Sequence, residues 1–234
     1  MTNTQIGEII EWDILNWSKA LAFWKEYLPM PGSNTRILAL GERNGGLSLW
    51  LGLQGFNVIC SDFGGPTKRA REIHAGNQVS SLIEYADIDI FKIPYQDNYF
   101  DLIICKSVIG GLKGKRNDPA TRTLENQKRA IEEIRRVLKL KGTFLGAENT
   151  RGSYVHQLAR RALKGSKIGW RHLTLAEVKW LFGSYSNLQM IPYGFFGSYY
   201  PSKLVNRVFA QFDSFLSRYF PDRWLYLTFI AARK

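Results

Sequence analysis

Leu38-Ala39-Leu40-Gly41-Glu42-Arg43-Asn44-Gly45-Gly46 decides the fold. It sits between Arg36–Leu40, which reads as a strand, and Gly46–Leu53, which reads as a helix. A second strand follows at Asn57–Ser61 and ends on Asp62. Strand, glycine turn, helix, strand and acid form one βαβ unit. The acid lies about twenty residues past Gly41, the spacing at which a ribose hydroxyl is held. A dinucleotide loop needs glycine where Arg43 stands, because its backbone must close on a pyrophosphate. No Gly-Lys-Ser/Thr follows, so a P-loop is excluded. A nucleoside that brings no phosphate to the loop removes the conflict.

The alternation continues outward. Thr67–Ala75 reads as a helix, Leu82–Ala86 as a strand and Phe100–Lys106 as a buried strand. Arg122–Leu138 is a helix with Ile131, Ile134, Val137 and Leu138 inward, and Thr143–Glu148 is a strand. Such order argues for a mostly parallel sheet covered on both faces. Upstream, the apolar spacing over 8–28 predicts a helix closed by Pro29 and Pro31. Downstream, helices are expected at Ser153–Leu163, Leu175–Phe182 and Lys203–Tyr219, and strands at Leu188–Tyr193 and Trp224–Ala232. The chain reads as a single domain over 1–234. Within it lie an N-terminal lid (1–31), a nucleoside-binding core (32–150) and a basic region on the acceptor side (151–234).

Charge divides unevenly. Residues 1–150 carry 19 basic and 17 acidic side chains, a net of +2, while 151–234 carry 13 and 3, a net of +10. The last third therefore favours an anionic partner: phosphate, carboxylate, nucleic acid or membrane. No run of ~18 apolar residues suggests a spanning helix, and no secretory signal is visible in MTNTQIGEIIEWD. Cys60 and Cys105 fall inside strands and read as buried thiols of a cytoplasmic protein. They lack metal-ligand spacing, and Glu148-Asn149 is only a fragment of a hard-cation site, so no metal is expected.

Two further stretches carry a resemblance. Asp89-Ile90-Phe91-Lys92-Ile93-Pro94-Tyr95 is followed by Phe100-Asp101-Leu102-Ile103, and EEIRRVLKLKG spans Glu132–Gly142. With the glycine loop, Asp62 and the closing WLYLTFIAARK, they make the chain resemble the class I methyltransferases that use S-adenosylmethionine, over roughly residues 36–194. The resemblance implies a Rossmann-like three-layer αβα sandwich. Its seven-stranded sheet is mostly parallel with an antiparallel last strand, and extra helices stand at both termini. It also implies an S-adenosylmethionine site of Gly41, Glu42, Gly45, Gly46, Asp62, Phe63, Asp89, Ile90 and Lys106. Asp62 would hold the ribose hydroxyls, and Asp89, in preference to Asp87, the adenine amino group. Ala39 departs from the family's usual acid, for which Glu42 or an N-terminal residue would substitute, and Leu140–Gly142 lacks the usual Pro-Gly-Gly.

Ligands of open α/β sheets sit beyond the carboxyl ends of the strands. That places the acceptor near Ser107, Asn149 and Arg171, with His172 as the preferred base and Glu148 as the second candidate. His74 reads as surface, His156 as a helix-end residue and Asp101 as structural. The loop Gly110–Asn117 could close over an anion, or be only a solvated turn. Trp12 or Trp17 could roof the pocket. The run Phe195–Pro201 and the amphipathic helix after it would pack on the sheet or form a dimer face, in preference to lying on a membrane. The expected activity is methylation, favouring oxygen, of an anionic small molecule, a glycan or a lipid-linked acceptor. An RNA methyltransferase and an inactive methyltransferase-like binding protein are the alternatives; no Asn-Pro-Pro-Tyr-like motif supports the first.

Overall fold

The computed structural model describes residues 1–30, 34–112, 124–158, 171–197 and 202–234. Pro31, the Lys113–Asn117 part of the glycine-rich loop, 159–163 of the predicted helix and the Ser198–Pro201 end of the aromatic run lie outside them. The elements run α1 (Asn3–Ile10), α2 (Ile14–Trp17), α3 (Lys19–Lys25), β1 (Ile37–Leu40), α4 (Gly46–Gly52), β2 (Val58–Asp62), α5 (Lys68–Gly76), β3 (Ile83–Asp87) and β4 (Phe100–Lys106). Then come α6 (Leu124–Val137), β5 (Leu138–Asn149), α7 (described over 154–158), α8 (Leu175–Leu181), β6 (Ser186–Tyr193), α9 (Lys203–Leu216) and β7 (Leu227–Arg233).

One seven-stranded sheet has the order β3-β2-β1-β4-β5-β7-β6. The pairings from β3 to β5 are parallel, and β7 runs antiparallel to both β5 and β6. This is the Rossmann-like architecture the resemblance implied. Strand order reverses between β1 and β4, and their register sets Leu40 beside Cys105. The carboxyl ends of β1, β2, β4 and β5 thus meet around one crevice.

Side-chain alternation splits the core in two. Ile37, Ala39, Leu102 and Ile104 face a layer holding Trp17, Trp24 and Trp50. Leu38, Leu40, Ile103 and Cys105 face Ile131, Ile134, Phe144 and Phe182. Full burial of a side chain such as Phe144 contributes about 1.5–3 kcal/mol. Both cysteines are buried and free. Asp101, at the opposite edge, accepts from Lys139 Nζ at 2.7 and 2.8 Å and from the Arg36 N–H, which is a structural role.

The predicted N-terminal helix is instead three short pieces. Glu11 (φ 70°) and Asp13 (φ 44°) take left-handed conformations that end α1 and open α2. Apolar spacing does not register such breaks, because each piece keeps its own buried face. The break turns the carboxyl end of α1 toward the crevice. The predicted final strand also starts later: Trp224 belongs to a 3-10 turn, and β7 begins at Leu227.

Candidate active site

The glycine loop closes with two left-handed residues, Gly41 (φ 67°) and Gly45 (φ 72°), while Arg43 keeps a negative φ and is exposed. The arginine therefore asks nothing unusual of the backbone. Its carbonyl accepts from the Thr67 N–H at 2.8 Å, and its charge helps hold Asp62 ionised against the effect of burial. The loop is close-packed. A Cβ on Gly41 would lie 2.4 Å from Val108 Cγ2, and one on Gly46 would lie 2.3 Å from the Ile9 carbonyl oxygen.

Glu42 stands in the loop where Ala39 cannot help. Its carboxylate is buried and accepts from the Ser48 N–H at 2.8 Å, satisfying an orphan donor in the first turn of α4. His74, expected at the surface, is fully buried beneath this loop. One ring nitrogen meets the Gly45 carbonyl at 2.8 Å and the other meets Tyr85 Oη at 2.8 Å. Burial lowers its pKa. The signal for it was present, since Ala70, Ile73 and His74 share one helical face.

Asp62 ends β2 half-exposed, and its Oδ1 accepts from the Phe63 N–H at 3.0 Å. Its carbonyl accepts from Ile88 N, which sets Asp89 beside it. Asp89 Oδ1 accepts from Phe91 N at 2.9 Å, and Ile90 is buried beneath. Asp87, paired in register with Asp62, spends Oδ1 on the Gly64 N–H at 2.7 Å. Phe63 projects 80% exposed at the rim. Gly41, Gly45, Gly46, Asp62 and Asp89 thus share one edge.

Lys106 ends β4 almost wholly buried. Its Nζ donates to the Ile10 carbonyl at 2.9 Å, lies 3.3 Å from the Trp12 ring centroid and stands 4.0 Å from Glu11 Oε2. A cation against the last carbonyls of α1 complements the helix dipole. Trp12 is the tryptophan at the site, whereas Trp17 and Trp24 are core. Glu11 also accepts from Asn44 Nδ2 at 2.6 Å, so the N-terminal segment clamps the glycine loop.

On the acceptor side, Glu148 is 1% exposed and spent on the backbone. Oε1 accepts from Val108 and Ile109 N–H at 2.7 Å each, and Oε2 from Gly110 N–H at 3.3 Å. That arrangement braces the loop after β4 and does not present a base to the crevice. Ser107 has φ 55°, and its hydroxyl is 3.4 Å from Asn149 Nδ2. Arg171 is pinned to Gln127 Oε1 at 3.0 Å and to Glu177, so its guanidinium serves a structural network. Its N–H reaches Gly110, and Leu173 bridges Thr150. His172 is therefore held between the loops that follow β4 and β5. No group of three metal-ligating side chains occurs among the described residues.

Burial pushes Glu42 and Glu148 up to about 7 and Lys106 down to about 8. Between pH 4.5, the ordinary value for Glu, and about 7 the folded chain holds protons that the unfolded chain releases. Stability then falls as pH rises through that window, by at most about 1.4 kcal/mol per pH unit for each group. Lys106 has the opposite sign above about 8, where stability is regained. Buried His74, its pKa lowered, opposes this below pH 6.5, but two carboxyls outweigh one imidazole, so denaturant midpoints measured from pH about 5 to about 7.5 should decline, and Glu42→Gln should flatten the slope. A rising wild-type profile would contradict this.

Residues 38–146 match a family described as a methyltransferase domain. That stretch, a little under half of the chain, is similar to the methyltransferase domain family. Over 113 residues the chain is 34% identical to the glycine/sarcosine/dimethylglycine N-methyltransferase of Actinopolyspora halophila. The match covers 47% of this chain but only 18% of that protein. The methyltransferase fold is shared with phosphoethanolamine N-methyltransferase 2 of Haemonchus contortus, solved with S-adenosyl-L-methionine. That likeness has a TM-score of 0.63 and 18% identity, covering 93% of this chain and 52% of that one. The YcgJ protein of Bacillus subtilis aligns with a TM-score of 0.59 and 16% identity over 93% and 98% of the two chains. The chain spans less than a fifth of the curated relative and about half of the Haemonchus contortus enzyme.

Proposed function

We propose that the chain transfers a methyl group from S-adenosylmethionine to an anionic acceptor, a small molecule, glycan or lipid-linked group, with oxygen as the receiving atom. The observation that carries the acceptor class is the +10 balance of residues 151–234, which supply the elements following β5. The site suits the cofactor: Asp62 ends β2, Asp89 lies two residues past the end of the neighbouring β3, and the glycine loop after β1 offers no phosphate cradle. Asp62 would take the ribose hydroxyls, Asp89 and the Ile90 backbone the adenine, and Phe63 the exposed side of the nucleoside. Lys106, whose ammonium is held by the Ile10 carbonyl, Trp12 and Glu11, would have to turn from them to meet the amino-acid carboxylate, and Gly41 with Glu42 would shape the floor. The cofactor brings an electrophilic methyl group. The chain orients the acceptor, excludes water with Trp12 and the N-terminal clamp, and removes a proton. His172 is the proposed base, Ser107 and Asn149 would position the acceptor, and Glu148 fixes the loop that follows Ser107.

Nitrogen as the receiving atom is the second reading, favoured by the names of two of the similar proteins. Incubation of the purified chain with methyl-labelled S-adenosylmethionine and fractionated anionic metabolites, glycans and lipids tests the proposal. Label in an ester or ether of an anionic acceptor is expected. Label confined to amines would overturn oxygen as the receiving atom, and label confined to RNA would overturn the acceptor class.

A further inference from the structure

The amphipathic helix α9 faces the wrong way for a core element. Leu204, Val208, Phe212 and Phe215 recur at spacings of four, four and three, an arc of roughly 80° at 100° per residue, and Tyr219 follows in the turn just past the helix. The five are exposed by 71, 42, 53, 58 and 69%. What α9 turns inward is an acid. Asp213 is fully buried; Oδ1 accepts from Phe195 and Phe196 N–H, and Oδ2 from Gly197 N–H and from Asn16 Nδ2 at 2.7 Å. No other acid occurs in 203–220. The outer surface is therefore apolar and cationic, with exposed Arg207 and Arg218 flanking the stripe on one side. The Asn16–Asp213 bond ties α9 to α2, and Ile14 of α2 and the preceding Trp12 are exposed as well.

We propose that α9 docks on an anionic membrane surface, lying in its plane with the stripe in the acyl region and the arginines among the headgroups. Charge selects this occupant. A second copy placed face to face would bring two +10 regions together, and that repulsion opposes a dimer. A nucleic acid would answer the arginines but leave five apolar side chains wet. Docking would hold the crevice at the headgroup level, where a lipid-linked acceptor presents its polar end; this last step rests on the proposed function, while the docking itself does not.

Co-sedimentation of the full chain with vesicles tests it. Vesicles of phosphatidylcholine and phosphatidylglycerol should bind the chain, phosphatidylcholine alone should bind it far less, and added salt should weaken binding. Phe212→Ser with Phe215→Ser should reduce binding by more than tenfold. Arg207→Ser with Arg218→Ser, two exposed positions that leave the fold alone, should cost about fivefold per cation. Calorimetric titration with S-adenosylmethionine, unchanged in both variants, separates a lost surface from a lost site. Wild type that ignores anionic vesicles, or a dimer in light scattering that the phenylalanine variant dissolves, would overturn the proposal.

Discussion

Asp62→Ala should weaken S-adenosylmethionine binding by roughly 10²–10⁴-fold in a calorimetric titration. A carboxylate that accepts from two ribose hydroxyls makes two hydrogen bonds to a charged group, each contributing about 1.5–3 kcal/mol, and every 1.4 kcal/mol is about tenfold. The side chain is placed for this. It ends β2 half-exposed, and one oxygen accepts from its own Phe63 N–H. Folding should be little affected, because the strand is held by its parallel pairings to β1 and β3. The neighbouring acids give an internal comparison. Asp89→Ala should cost about tenfold for one lost hydrogen bond to a carboxylate. Asp87→Ala, whose Oδ1 is taken by Gly64, should cost less. If Asp87 proves the costlier of the two, the adenine contact has been given to the wrong acid.

His172→Gln should lower kcat by about 10²–10⁴-fold, the range for loss of a general base, with cofactor affinity unchanged. The residue sits on the segment whose backbone joins Gly110 on one side and Thr150–Arg151 on the other. Those are the loops beyond β4 and β5, between which an acceptor must lie to meet a methyl group held at β1 and β2. A base also leaves a signature in pH: the acid limb of the wild-type kcat profile should vanish in the variant. A drop in kcat with the limb intact would make His172 a positioning residue. Glu148→Gln is the contrast. It leaves three buried N–H groups sharing a weaker acceptor, so it should lower stability as well as rate.

Much of the sheet was legible in the sequence because strands buried on both faces read as short apolar runs separated by glycine, proline and acid. β4 falls on its predicted residues, Phe100–Lys106, and the strands through β3 fall within one or two. The glycine loop and the two acids were legible for the same reason, as turn chemistry at fixed offsets from strands. What escaped depends on partners far along the chain. Glu148 reaches back about 40 residues to Val108 and Ile109, and Lys106 reaches Ile10 across 96. Asn16 meets Asp213 across 197. No local pattern announces such a meeting. The breaks at Glu11 and Asp13 escaped because neither is glycine or proline. Helix α9 shows a different limit. Periodicity reveals that a helix has two faces, but which one is buried was decided here by a single acid and three backbone donors.

A crystal structure of the chain with S-adenosylmethionine should show the adenosine across the carboxyl ends of β1, β2 and β3, with Asp62 within hydrogen-bond distance of both ribose hydroxyls, Asp89 at the adenine amino group and Arg43 turned to solvent. A nucleoside bound elsewhere, or Arg43 folded into an empty crevice after soaking, would contradict this placement.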